Sequence, residues 1–236
     1  MQIYWTKINK IIEETPEVKT FLLDRPDDFI WEEGAHTHFA LKGFNDGEAP
    51  NKSLVRHMSI STLPADDVVG ITTRIKEPCS EFKSILKTLR VGDEVALFKI
   101  HSNVPLKREN KNLYLLSSGV GIATFRPVVS TYLSNSENVS SIHSLNVDSS
   151  EKYLFTNIFT SNAEQNFTAQ FVSSRNAYYE EMGKLATDQN GIYYVIGSDD
   201  FIKQNIELLF ANGMKREQIV LDKRAQFIDK FFSVEV

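Results

Sequence analysis

Apolar residues in the first hundred positions fall in short runs punctuated by Pro, Gly and Asp. Tyr4 to Ile12, Val18 to Asp24, His36 to Leu41, Val55 to Ser61 and Gly70 to Ile75 read as strands. Short strands at this spacing predict an antiparallel barrel. Ser80 to Leu89 breaks the pattern, because Phe82, Ile85, Leu86 and Leu89 recur at helical spacing. Gly92-Asp93 then turns the chain into a further strand, Glu94 to Phe98.

From Leu113 the pattern becomes alternation of apolar strand and amphipathic helix. Strands are expected at Leu113–Ser117, Ser141–Val147, Phe167–Ser173, Ile192–Ile196 and Gln218–Leu221. Helices are expected near Phe125–Ser134, Asn176–Ala186 and Asp199–Ala211. Such alternation implies a parallel sheet with helices on its faces. The polar run Pro105 to Lys111 reads as a linker. The expected organisation is therefore a β-barrel over residues 1–107 followed by an α/β domain over 108–236. The end of the chain, Phe231-Phe232-Ser233-Val234-Glu235-Val236, is apolar and is expected to pack or pair into the sheet rather than fold over a ligand.

The junction Leu113 to Pro127 is chemically the most telling. It reads as a buried strand, a turn carrying Gly119 and Gly121, and the start of a helix. Glycines permit positive φ and close approach of a ligand to the backbone. The free N–H groups and dipole at the helix start suit a pyrophosphate. Upstream, Arg56-His57-Met58-Ser59 lies on a strand, so Arg56 and Met58 share one face and His57 and Ser59 the other. An arginine there can grip a phosphate through its bidentate fork. Thr72-Thr73-Arg74 and Pro78-Cys79-Ser80-Glu81-Phe82 precede the amphipathic helix, with Ser80 as its N-cap.

Composition trims the alternatives. A net charge of −5 disfavours nucleic acid, which demands a basic footprint. The single cysteine, Cys79, excludes an internal disulfide and a cysteine-ligated iron–sulfur or zinc centre. No apolar run is long enough to span a membrane, and the first residues lack the marks of a signal peptide, so a cytoplasmic protein is expected. His36 and His38 share a strand face, but no third ligand is visible nearby, so no metal is expected.

These segments together resemble the ferredoxin–NADP reductase-like flavoenzymes. Arg56-His57-Met58-Ser59 is similar to the Arg-x-Tyr-Ser motif of that family, and Cys79-Ser80-Glu81-Phe82 to its Cys-Ser-Asn-Phe. Gly119-Val120-Gly121-Ile122-Ala123-Thr124-Phe125-Arg126 follows Gly-x-Gly-Ile-Ala-Pro-Phe-Arg at all but one fixed position. Ser174-Arg175 resembles the pair that grips the 2′-phosphate of NADPH, and Ile196-Gly197-Ser198 stands where many members carry Cys-Gly-Pro. Met58, Thr124, Ile196 and Ser198 depart from the pattern, and Phe98 to Asn103 lacks the usual Gly-Pro-x-Gly.

The resemblance implies an FAD-dependent NAD(P)H oxidoreductase. Arg56, His57, Met58, Ser59, Thr73, Cys79 and Ser80 would hold FAD, with Ser59 at flavin N5 as the catalytic residue. Gly119, Gly121, Ile122, Ala123, Thr124, Ser174, Arg175 and Gly197 would hold NADP. Asp148 offers the rival NAD solution, a carboxylate for a ribose hydroxyl. The electron acceptor would be a small acidic redox protein, ferredoxin or flavodoxin, or a small molecule, with Lys83, Lys87, Arg90, Lys107, Arg108 and Lys111 as a basic rim. The chain would act as a monomer or homodimer. A non-catalytic flavin- or nucleotide-binding sensor, or a subunit of a larger redox complex, is the alternative.

Overall fold

The computed structural model describes residues 2–233, apart from the side chains of Ala163 and Ala225. The chain divides into two compact units, Met1–Ser102 and Asn103–Val236, so residues 103–107 go with the second.

The first unit is built from β1 (Tyr4–Thr15), β2 (Val18–Asp24), β3 (Ala35–Leu41), β4 (Val55–Ser59), β5 (Val68–Arg74) and β6 (Glu94–Ser102). These form an antiparallel sheet in the order β4-β3-β6-β1-β2-β5. Just past β4, Ile60 bridges Ile71 of β5, which joins the two outer strands and closes the sheet on itself. Alternation along each strand turns Phe21, Leu23, Phe39, Leu41, Ile71 and Leu97 into one core. Trp31 belongs to that core, and its indole N–H donates to the Thr62 carbonyl at 2.8 Å.

Helix α1 (Glu81–Thr88) is only eight residues long, too short to persist by propensity alone. Phe82 and Leu86, both fully buried, anchor it to the barrel core at roughly 1.5–3 kcal/mol each. Two strands run further than their apolar pattern suggests. β1 continues through Glu13 and Glu14 because its pairing with β2 holds as far as Thr15 opposite Val18. β6 continues to Ser102 across an irregularity in its register with β3 near Lys99, whose φ is +53°.

In the second unit β7 (Asn112–Ser118), β8 (Ser141–Val147), β9 (Phe167–Val172), β10 (Ile192–Ile196) and β11 (Ile219–Leu221) form a parallel sheet. Its order is β11-β10-β7-β8-β9. Helix α2 (Ile122–Ser134) lies on one face, where Phe125 meets Tyr194 edge-on at 6.3 Å. Helices α3 (Arg175–Leu185), α4 (Asp199–Ala211) and α5 (Ala225–Phe232) share a core with Tyr193 and Val195 of the other face. The apolar end of the chain was expected to pack, and Phe231, 2% exposed, does so from α5. Residues Val234 to Val236 lie outside the described residues.

Candidate functional site

Two clusters of the expected side chains form, one in each unit. In the first, the β4 pleat places Met58 in the barrel core at 9% exposure, and the Arg56 guanidinium 5.0 Å above the ring of Phe82. The opposite face carries His57 and Ser59, which pair in register with His38 and His36 of β3. The His36 and His57 rings lie 3.9 Å apart, and His38 and His57 meet edge-on at 4.7 Å. His101 joins them at 5.8 Å from His36. The divided faces thus follow from the strand period, while Met58 offers little surface for an aromatic ring to cover. Among the described residues no group of three or more His, Cys, Asp or Glu is arranged to hold a metal ion.

Arg56 stands near the start of α1. Its Nη1 donates to the carbonyls of Ser53 at 3.0 Å and Val55 at 2.7 Å. Ser80 caps the helix, accepting from the Lys83 backbone N–H at 3.4 Å. Lys83 turns its side chain inward: Nζ donates to Thr73 Oγ1 and, at 2.7 Å, to the Arg74 carbonyl. Burial, reinforced by the Arg56 charge, brings the Lys83 pKa down to about 8. Neither Arg56 nor Lys83 pairs with a carboxylate among the described residues. Cys79, half-buried, lies with its Sγ 3.3 Å from Ser84 Oγ. Two cations and a capped helix start with no anion of their own fit the chemistry of a phosphate group.

The second cluster sits at the carboxyl ends of β7 and β10, where the strand order reverses direction, the usual ligand crevice of open α/β sheets. Ser118 leads into a 3-10 turn, Gly119–Gly121, and then into α2. The two glycines serve different needs. Gly119 takes a φ of +55°, whereas Gly121 is right-handed and is required by proximity. A Cβ on Gly121 would stand 2.9 Å from the Ile196 carbonyl oxygen. On β10's side, a Cβ on Gly197 would fall 2.5 Å from the Phe201 ring. α2 begins at Ile122 rather than Phe125, because the glycine turn runs straight into it; Ile122, Ala123 and Thr124 are all buried.

Buried Asn146 steadies this turn, its amide donating to Ser117 Oγ at 2.9 Å and to the Gly119 carbonyl at 3.3 Å. Ser174 caps α3 by accepting from the Ala177 N–H at 3.2 Å. The exposed Arg175 lies 4.9 Å over the Phe201 ring and donates to Tyr179 Oη at 3.4 Å. Asp148, 6% exposed, accepts from the N–H and hydroxyl of Ser150 at 2.9 and 2.7 Å. Its Oδ1 therefore already caps a turn.

Residues of the expected basic rim are largely engaged within the chain. Lys87 pairs with Glu77 at 2.9 Å and Lys111 with Glu109 at 3.1 Å, with Lys107 3.9 Å from the same Glu109. Arg108 donates to the carbonyls of Asn135 and Glu137.

Solved structures share this fold. A ferredoxin NADP+ reductase from Neisseria gonorrhoeae, with bound FAD and NADP, superposes with a TM-score of 0.76 over 94% of this chain and 98% of its own, at 18% identity. The chain has the ferredoxin–NADP+ reductase fold. The same reductase fold in a ferredoxin-NADP+ reductase from Plasmodium falciparum gives 0.75 at 15% identity, covering 94% of this chain and 96% of that one. The CS-b5R domains of human Ncb5or, in the NAD+ form, give 0.76 at 16% identity over 94% and 70%. No protein-family model and no curated protein matches the sequence. Lys83 was expected on a basic rim and instead turns into the barrel, and the bonds of Asn146 to the glycine turn were not anticipated. A lysine on an amphipathic helix reads as solvated, and its inward turn depends on Thr73 and the Arg74 carbonyl of β5. An asparagine amid an apolar strand was the available signal for the second.

Proposed function

We propose that the chain is an FAD-dependent NAD(P)H oxidoreductase. The observation that carries this reading is the pairing of two anion-ready helix starts with the reductase fold: α1 beside Arg56, and α2 behind the Gly119–Gly121 turn. Ser80, Thr73 and Arg56 would hold the diphosphate of FAD, and the N–H groups at the start of α2 that of the nicotinamide nucleotide. FAD, when bound, supplies hydride acceptance and the delivery of electrons to a separate acceptor.

The protein's own residues bind and orient. Ser59, half-buried at the end of β4, would donate its hydroxyl proton to a ring nitrogen of the flavin and fix the ring's tilt. Gly121 and Gly197 let the turn after β7 and the chain after β10 pack directly on Ile196 and Phe201, with no side chain between. Arg175, exposed at the start of α3, favours NADPH by offering its guanidinium to a phosphate, and the prior engagement of Asp148 by Ser150 weighs against NADH. The acceptor is read as a small redox protein or a small molecule. The internal ion pairs of Lys87 and Lys111 leave less basic surface for an acidic protein than the sequence suggests.

A second reading, a non-catalytic flavin-binding sensor, draws on Met58, which stands in the barrel core and brings no tyrosine ring to cover a flavin. The absorbance spectrum of the purified protein, before and after anaerobic NADPH and NADH, separates the two. A flavin band that bleaches with NADPH is expected. A band indifferent to both nucleotides points to the sensor, and a protein that neither carries nor takes up FAD overturns both.

A further inference from the structure

Lys83 is poorly explained as a structural residue. Its ammonium is drawn into the barrel rim, loses hydration, and shares its surroundings with a second cation, Arg56. Burial of like charges without a counter-charge is unfavourable, and no carboxylate among the described residues pairs with either group. Glu81, the acid nearest in sequence, is exposed in the first turn of α1, and Glu77 is bonded to Lys87 at 2.9 Å. The remaining groups facing Lys83 are Thr73 and the Arg74 carbonyl on β5 and the Cys79 thiol before α1.

The bonds each cation makes leave donors to spare. An ammonium carries three N–H donors; two go to Thr73 Oγ1 and the Arg74 carbonyl, so one remains. The protein bonds of Arg56 all leave from Nη1, to the carbonyls of Lys52, Ser53 and Val55, so its Nε–Nη2 edge is the fork that a phosphate would meet. Thr73 and the Arg74 carbonyl hold the Lys83 stem in place, which lowers the entropy lost when a ligand binds.

We propose that Lys83 joins Arg56 as a second cation on the diphosphate of FAD, so that this chain holds its flavin through a pair of charges. The inference rests on the reading that the barrel binds FAD, and it adds a residue to that site together with a pH dependence. A diphosphate favours the protonated amine, so FAD affinity should fall as pH rises above about 8, where the free protein begins to lose the Lys83 proton.

Titration of the apoprotein with FAD, followed by flavin fluorescence from about pH 7 to 10, tests this, with riboflavin as the probe lacking phosphate. Wild type should bind FAD progressively more weakly toward the alkaline end and riboflavin without that trend. Lys83→Met should weaken FAD about 10- to 100-fold near neutral pH and flatten the profile. Lys83→Arg should restore affinity and stay flat, since its charge persists throughout. Cys79→Ser should keep the wild-type fall; its disappearance there would assign the titration to the thiol and overturn the proposal. Equal FAD affinity and an unchanged profile in Lys83→Met would also overturn it, while leaving FAD binding itself intact. A wild type that takes up no FAD would instead defeat the functional reading beneath it.

Discussion

Burial and the neighbouring Arg56 guanidinium set the Lys83 pKa at about 8 in the free protein, against 10.5 for an ordinary lysine. At Lys83 the unfolded chain therefore keeps a proton that the native state has lost, a contribution that favours the native state increasingly as pH rises from about 8 toward 10.5. Burial raises the pKa of Tyr114, Tyr178, Tyr179 and Tyr193, which act in the opposite sense at the alkaline end. The Lys83 share is therefore read as the difference in denaturant unfolding between FAD-free wild type and Lys83→Met, which should shift in favour of wild type as pH rises above about 8. A difference that does not change with pH would mean that the amine is better solvated than its position implies. At the same scale Met58 shows what a motif alone leaves open. The strand period correctly separates Arg56 and Met58 from His57 and Ser59, yet which face meets the barrel interior depends on β3, whose Thr37 and Phe39 stand opposite Met58 and Arg56. The pairing of His57 with His38, and of Ser59 with His36, lay beyond local sequence for the same reason: it is a register between strands some twenty residues apart.

The β7–α2 turn shows how tightly an element can constrain its residues. Gly121 is right-handed and any residue could adopt its backbone, so its need is purely one of space. Gly121→Ala places a methyl 2.9 Å from the Ile196 carbonyl, an approach that real structures avoid. The strand ends must part, at a cost of about 1–3 kcal/mol. The expected outcome is a lower melting temperature together with loss of NADPH binding in calorimetric titration; unchanged values for both would place the nucleotide elsewhere. Most elements here were legible because their apolar periods are clean, as in Ile192–Ile196 and Asp199–Ala211, both of which run as expected. The misses are physical. Helix α5 carries Phe227, Ile228, Phe231 and Phe232 in a span too short to distinguish a helix from a buried strand by pattern. The start of α2 was read three residues late, because glycines normally argue against helix and here form the turn that opens one.

At the level of the whole molecule, each unit has its own hydrophobic core and its own ligand-ready helix start. Ligands that bind only the native state raise the stability of the unit that holds them. Scanning calorimetry should therefore resolve a transition that FAD raises and another that NADPH raises. A single transition moved equally by either ligand would show the units melting as one, and a transition that neither ligand moves would remove the support for two sites. Both tryptophans of the chain, the buried Trp31 bonded to Thr62 and the part-exposed Trp5, belong to the first unit. Tryptophan emission consequently reports the barrel alone, and the parallel-sheet unit is optically silent at red-edge excitation, its tyrosines notwithstanding. The molecule thus separates its own signals: emission follows the barrel and any quenching by a flavin bound there, and heat capacity less that component follows the rest, without any label being attached.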